Sequence, residues 1–280
     1  MMSLWYKFLE IFLPFSCFDY QFMKNAFLAI LIITPIFALL GIIVVNNRLV
    51  FFSDCLGHSG LTGIAIGIIL GINPTFTMIL LGIFLAIAVT FLKHITDSAQ
   101  ETILGVVLAS ITALGIVLLS QGGNFSKFTP YLIGDILAIS PKQIFFLTII
   151  WFVTIIYSFL FTNSLTLLSV NNLLAKSKNI YIFLLEVSFT IILAITVIIS
   201  LQLVGILVIS ALLVLPAATA RILAASFKTY TILAIIISLV SGILGLIMSY
   251  YFGTATGATI VLINSGFYLF ALIIKKGLRQ

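Results

Sequence analysis

Long apolar runs constrain the fold of this sequence more than any other feature. A membrane-spanning helix needs about 20 mostly apolar residues, and short polar gaps divide the chain into runs that meet or nearly meet that length. The runs cover residues 25–45, 56–72, 75–92, 102–120, 142–162, 180–200, 203–219, 229–250 and 257–274. Charged residues make up only 7% of the chain, against 62% hydrophobic residues, which is too few to cover a water-soluble domain. The sequence therefore predicts an all-α polytopic membrane protein, solvated by membrane lipid, with about eight or nine transmembrane helices.

Basic residues predict which ends of these helices face the cytoplasm. With the runs above, most basic clusters fall on one side of the membrane: Arg48, Lys93 with His94, Lys176 with Lys178, Arg221 with Lys228, and the tail residues Lys275, Lys276 and Arg279. Short cytoplasmic loops carry an excess of Lys and Arg, so this side is assigned to the cytoplasm. The net charge of +6 is explained in the same way and does not indicate binding to nucleic acid.

Two segments fall outside the simple pattern of spans. Residues 1–24 carry Glu10 and Asp19 among aromatic side chains, which predicts an interfacial segment ahead of a single transmembrane domain, 25–280. On the outer side, the short apolar piece 131–139 lies between two prolines. It is too short to span, so we expect one re-entrant or interfacial helix there, covered by protein or water.

The stretch "FFSDCLGHSG", residues 51–60, places two of the few ionisable groups of the chain, Asp54 and His58, four residues apart. That spacing puts both side chains on one helical face, where a carboxylate oxygen and an imidazole nitrogen could bind one divalent metal ion. Two ligands are too few for a complete site. Around the two-fold axis of a homodimer, however, two copies would supply four ligands, a set that suits tetrahedral zinc and is usable by manganese.

A structural alternative explains the same two residues without a metal. Ser53 and Asp54 are both good helix N-caps, and His58 would then simply reach toward the membrane interface. The spacing alone does not decide between these interpretations. Cys55 is a conceivable thiolate ligand, although a small buried packing residue is the simpler interpretation.

Small residues follow this pair along the same predicted helix. Gly63, Gly67 and Gly71 recur at steps of four, a spacing that lets a second helix backbone approach closely. If the helix begins near Asp54, Gly67 lies about 180° from His58, and Ala65 shares the face of Asp54 and His58. The glycine stripe should then pack inside the protomer while the Asp54/His58 face points elsewhere.

Several blocks of the chain are similar to one known family. They are "FFSDCLGHSGLTGIAIG" (51–67), "ETILGVVLASITALGIVLLS" (101–120), "YLIGDILAISPKQI" (131–144), "VGILVISALLVLPAATARILA" (204–224) and "SGILGLIMSYYFGTATGATIVLI" (241–263). In these blocks the sequence resembles the integral-membrane permeases of bacterial ABC importers for zinc, manganese or iron. The resemblance covers roughly residues 25–275, and the zinc-uptake branch looks most similar.

The resemblance implies a function and a set of partners. We expect a homodimer of permeases in the bacterial inner membrane, two cytoplasmic ABC ATPase subunits and an external or periplasmic metal-binding protein. The transported substrate would be Zn²⁺, or else Mn²⁺ or Fe²⁺, with no permanently bound cofactor. The resemblance also places Asp54 and His58 of both protomers in the translocation pathway.

The remaining features bear on competing functions. No phosphate-binding loop of the form GxxxxGK[ST] is present in the sequence, so we expect a transport subunit without catalytic residues, with ATP hydrolysed by another chain. A secondary transporter driven by an ion gradient is the alternative. It would usually show paired inverted repeats with broken helices, whereas the sequence offers one re-entrant candidate.

Four further residues are predicted to have structural roles. We expect Asp135 to cap the short outer helix, although it could also attract cations, and Glu186 to pair with a neighbouring helix. His94 is predicted to be a solvated loop residue, and Pro216 to break the last turn of the run 203–219.

Overall fold

The computed structural model describes residues 20–96, 98–121, 134, 136–170 and 181–277. Within these ranges the chain forms nine α-helices and one 3₁₀ helix, and eight of the α-helices are long and apolar enough to cross a membrane. The prediction of an all-α polytopic membrane protein is confirmed. The α-helices are α1 (Gln21–Asn46), α2 (Val50–Leu70), α3 (Pro74–Ile95), α4 (Gln100–Gln121), α5 (Pro141–Val170), α6 (Ile182–Val204), α7 (Ile206–Leu223), α8 (Phe227–Phe252) and α9 (Thr256–Gly277); the 3₁₀ helix is Ile136–Ala138.

Local sequence signals explain where several helices begin and end. Asn73 caps α3 by accepting a hydrogen bond from the Thr75 N–H at 2.9 Å, and Pro74 occupies the first helical turn, where its missing N–H is harmless. At the C-terminal end of the preceding helix, α2, Gly71 adopts a left-handed conformation with φ 68°, which glycine accepts without a steric penalty.

Pro216 does not break its helix, contrary to prediction. It lies inside α7, which continues to Leu223. Pro216 itself is buried among the surrounding helices, and Thr219 donates a hydrogen bond from Oγ1 to the Leu215 carbonyl at 2.7 Å. Neighbouring helices and hydroxyl side chains are what allow proline inside membrane helices.

Several helix termini meet at one end of the molecule, which we call the basic end. Two cavities at this end show which termini these are. Each cavity is lined by residues from several helix ends: Asn47, Leu49, Lys93, Gln100 and Glu186 in the first, and Asn46, Ser169, Arg221 and Phe227 in the second. The ends of α1, α3, α5 and α7 and the starts of α2, α4, α6 and α8 therefore meet at one side. This is the alternation that the distribution of Lys and Arg predicts.

Helix α7 occupies the centre of the bundle, in contact with α1, α2, α6, α8 and α9. A single residue, Gly205 with φ 86°, joins it to α6. Gly134, also left-handed with φ 67°, lies so close to this turn that a Cβ there would overlap the backbone of Gly205. The outer segment therefore rests directly on the α6–α7 turn.

The two segments outside the simple pattern can be compared only in part. The described part of 131–139 includes the short 3₁₀ helix, and Ile136 and Ile139 are buried among the spanning helices. Residues 21–24 form the first turn of α1. Residues 1–19 and Asp135 lie outside the described ranges.

A polar clamp joins α3 to α6 at the basic end. Glu186, only 9% exposed, accepts a hydrogen bond from Lys93 Nζ at 2.7 Å, and its second carboxylate oxygen lies 2.9 Å from His94 Nε2. One turn deeper, the hydroxyls of Thr90 and Thr190 are 3.1 Å apart. Glu186 therefore pairs with a neighbouring helix, as expected. His94 is not a solvated loop residue, since it lies in the last turn of α3 and contacts Glu186.

We predict that Glu186→Ala lowers the free energy of unfolding by about 1–3 kcal/mol, because two cationic or polar partners lose a largely buried carboxylate. Thermal unfolding of the purified protein in detergent measures the change. Glu101→Ala, which removes an exposed acid from the first turn of α4, is the matched control and should have the smaller effect. Equal shifts for the two variants would contradict a stabilising role for the clamp.

Candidate metal site on the second helix

Helix α2 extends one turn further toward its N-terminus than a cap at Ser53 or Asp54 would allow. It begins at Val50 with Leu49 as the N-cap residue, so Asp54 lies in the second turn and His58 one turn later. Ser53 donates a hydrogen bond from Oγ to the Val50 carbonyl at 2.7 Å. The capping interpretation of Asp54 is therefore wrong.

Neighbouring helices cover α2 on most of its circumference. On one side α4 approaches, where Cys55 Sγ donates to the Leu104 carbonyl at 3.4 Å and Thr62 Oγ1 donates to the Ile111 carbonyl at 2.9 Å. On the other side α7 approaches, and a Cβ built on Gly57 would lie 3.0 Å from Cγ2 of Ile206. Both helices hold α2 in a fixed rotation about its own axis.

Asp54 and His58 lie on the face of α2 between these two contacts. At about 100° per residue, Cys55 is rotated to one side of Asp54 and Gly57 to the other. Both ionisable side chains are partly exposed, and no hydrogen bond or ion pair joins either side chain to the described part of the chain. Ala65 shares this face but is only 2% exposed. The pair therefore lies on a partly exposed face of the protomer, in the half of α2 nearer the basic end.

The glycine stripe faces the opposite way, as predicted for its first two members. A Cβ on Gly63 would lie 2.6 Å from the Met78 Cα, and one on Gly67 would lie 2.9 Å from the Pro74 Cα. Both glycines therefore let the backbone of α3 approach closely. Gly71 does not belong to this contact, because it ends the helix and nothing lies within 4 Å of its added Cβ.

The two side chains supply half of a metal-ligand set. Among the described residues, no three His, Cys, Asp or Glu side chains come together where they could hold a metal ion. Cys55 is completely buried and engaged with α4, which agrees with a packing role. A carboxylate and an imidazole on one face can bind a divalent cation, but a tetrahedral site needs two more ligands.

The sequence matches the ABC 3 transport family over residues 19–275. The chain belongs to this family. Membership confirms the resemblance drawn from the sequence blocks, and the match covers all nine α-helices of the ABC 3 chain except the last two residues of α9.

Individual relatives cover nearly the whole chain. The high-affinity zinc uptake system membrane protein ZnuB of Haemophilus influenzae is 34% identical over 92% of this chain and 98% of its own length. The manganese import system permease protein ScaB of Streptococcus gordonii is 28% identical over 91% of this chain and 92% of its own. Among solved structures, PsaBC from Streptococcus pneumoniae in complex with Fab has a TM-score of 0.76 at 27% identity, covering 97% of this chain and 95% of that one.

Sequence reasoning overlooked one buried polar residue of this ABC 3 chain. Asn264, in the middle of α9, is fully buried, and neither its Nδ2 nor its Oδ1 has a hydrogen-bond partner in the described structure. The sequence does single out Asn264, since an amide in an otherwise apolar run is costly in lipid. It lies on α9, apart from the Asp54/His58 face of α2.

We predict that Gly63→Ala destabilises the protein by about 1–3 kcal/mol, because the added Cβ overlaps the backbone of α3. The control is Gly266→Ala on α9, where nothing lies within 4 Å of the added Cβ and removing a helical glycine should stabilise slightly. Thermal unfolding of both variants measures the effect. Opposite signs support close packing of α2 on α3, and a stabilising Gly63→Ala would refute it.

Proposed function

We propose that this chain is the permease subunit of an ABC-type importer that moves a divalent metal ion, with Zn²⁺ as the first candidate, into the bacterial cytoplasm. Two copies form a homodimer in the inner membrane. Separate cytoplasmic ATPase subunits hydrolyse ATP, and an external metal-binding protein delivers the ion. The observation that carries this proposal is the Asp54/His58 face of a spanning helix, which is partly exposed and has no side-chain partner within the described part of the chain.

The homodimer follows from where that face points. Ionisable side chains within a membrane rarely face lipid, and they usually line a bundle interior or a polar pathway. The rest of the protomer covers the other sides of α2 but leaves Asp54 and His58 partly exposed. A second copy related by a two-fold axis covers both faces at once and brings two carboxylates and two imidazoles together.

The chemistry of these groups suits transient binding. The carboxylate of Asp54 supplies negative charge and an oxygen ligand, while His58 must be neutral to donate a ring nitrogen, so binding releases any proton held there. Ligands shared between two subunits separate when the subunits rock against each other. Such a site can release the ion toward the cytoplasm, as transport requires release as well as entry.

Zinc is proposed first for two reasons. Two oxygen and two nitrogen ligands suit its tetrahedral preference, and the relative with 34% identity is named for zinc uptake. Manganese and ferrous iron accept the same ligand types, and another relative is named for manganese import. The delivering protein would contribute to the choice among these ions.

The test is ATP-dependent metal uptake into vesicles that contain the permease with its co-purified ATPase. We expect accumulation of Zn²⁺ that requires ATP, and loss of at least about tenfold in rate for Asp54→Ala with His58→Ala, since both protein ligand types are removed. Ser53→Ala, next to the pair but hydrogen-bonded within α2, should retain uptake and serves as the matched control.

Two results would contradict the proposal. Uptake that persists in the double variant removes Asp54 and His58 from the pathway. Uptake that needs an ion gradient and no ATPase instead supports the secondary-transporter alternative. Parallel measurements with Mn²⁺ rank the substrates, and faster Mn²⁺ uptake would replace zinc as the physiological candidate.

A further inference from the structure

Two adjoining cavities open between α1, α5 and α8 at the basic end of the molecule. The outer cavity has a volume of about 350 Å³ and is lined by polar residues, including Asn46, Thr166, Ser169, Arg221 and Ser226. The inner cavity has a volume of about 390 Å³ and is mainly apolar. Phe227 lines both cavities, so the polar cavity and the apolar cavity adjoin at this residue.

The outer cavity suits an anion. Arg221 is exposed at the end of α7 and contributes a positive charge. Helix α8 begins beside it, with Ser226 as the N-cap that accepts a hydrogen bond from the Thr229 N–H at 3.2 Å. The N-terminus of a helix carries partial positive charge and favours anions.

Each cavity also borders a buried hydroxyl that lacks a partner. Tyr230 lines the outer cavity and Ser158 lines the inner one, and each is only 6% exposed. Neither Tyr230 Oη nor Ser158 Oγ has a hydrogen-bond partner in the described structure. Buried polar groups are nearly always paired, so both hydroxyls indicate that a ligand with polar atoms completes this region.

The inner cavity suits a hydrocarbon chain that enters from the bilayer. Its walls are largely aliphatic and aromatic, with Ile42 and Ile43 from α1 and Ile155 and Phe159 from α5. Phe159 is 89% exposed, so this wall opens toward the surrounding lipid. The apolar cavity extends toward the membrane interior from the helix ends, while the polar cavity lies at those ends.

We propose that this pair of cavities binds an anionic phospholipid of the cytoplasmic leaflet. The phosphate lies in the outer cavity near Arg221 and the start of α8, and an acyl chain occupies the inner cavity. Charge and depth both favour lipid, because the polar cavity lies at the helix ends, where a headgroup would be, and the apolar cavity lies deeper along α1 and α5, where an acyl chain would be. The lipid would tie the α7–α8 turn to α5.

Native mass spectrometry of the full permease tests the proposal. The protein is equilibrated in vesicles of equal parts phosphatidylglycerol and phosphatidylcholine, extracted, and scored for each retained lipid. We expect the wild type to retain phosphatidylglycerol preferentially. Arg221→Gln should retain about fivefold less, the effect of losing one cation near an anionic headgroup.

Two further variants keep the test independent of folding defects. Ser169→Asp introduces negative charge into the outer cavity without removing Arg221, and it should also reduce retention of phosphatidylglycerol. Lys275→Gln removes a cation from the end of α9, away from both cavities, and should leave retention unchanged. Thermal unfolding of each variant verifies that the fold is intact.

Three outcomes would overturn the proposal. In the first, Arg221→Gln and Ser169→Asp both retain phosphatidylglycerol like the wild type. In the second, Lys275→Gln loses as much lipid as these two variants, which indicates nonspecific surface charge. In the third, excess inorganic phosphate would displace the lipid completely, which identifies a free-anion site and not a lipid site. Retention that survives phosphate and depends on Arg221 and Ser169 supports the phospholipid.

Discussion

Close packing around α2 is the constraint on which the rest of the molecule depends. Lipid offers little hydrophobic driving force between helices, so association relies on close contact and on interhelical hydrogen bonds. Gly63 and Gly67 allow close contact with the backbone of α3. The hydroxyl of Thr62 makes an interhelical hydrogen bond to a carbonyl of α4. These contacts set the rotation of α2, and that rotation directs Asp54 and His58 out of the protomer.

The same packing suggests how motion at the basic end would reach the Asp54/His58 face. The Glu186 clamp joins α3 to α6 at that end, and α3 packs directly on α2. At the opposite side of the bundle, the left-handed Gly205 allows α6 to turn abruptly into α7. The helices around α2 therefore form a connected unit, while the α6–α7 turn is a compact joint against which the outer segment rests.

Much of the architecture could be predicted from the sequence, because apolar length and Gly, Pro and basic residues encode helices, their ends and their orientation. The runs predicted for 75–92 and 229–250 correspond closely to α3 and α8. Interactions between distant parts of the chain were harder. The pairing of Glu186 with Lys93 and His94 brings together residues far apart in sequence, and no periodicity specifies such a partner.

Proline and helix starts show a second limit of sequence reasoning. Pro216 breaks helices in water, but α7 is surrounded by other helices that compensate for the lost hydrogen bond. Asp54 is a favourable N-cap in isolation. The helix nevertheless begins at Val50, because the spanning segment extends beyond its most apolar residues. The candidate pair itself could be found from spacing and scarcity, whereas its exposure required the packing of α4 and α7.

The stoichiometry and ligand environment of zinc bound to the purified permease complex would show whether two copies of Asp54 and His58 form one site. Metal analysis combined with X-ray absorption spectroscopy measures both. A site formed by two α2 faces should hold one zinc ion for two permease chains, bound by nitrogen and oxygen at about 2.0–2.2 Å, and His58→Ala should abolish binding. One zinc per chain, a sulfur ligand, or zinc retained without His58 would contradict a site formed by two α2 faces.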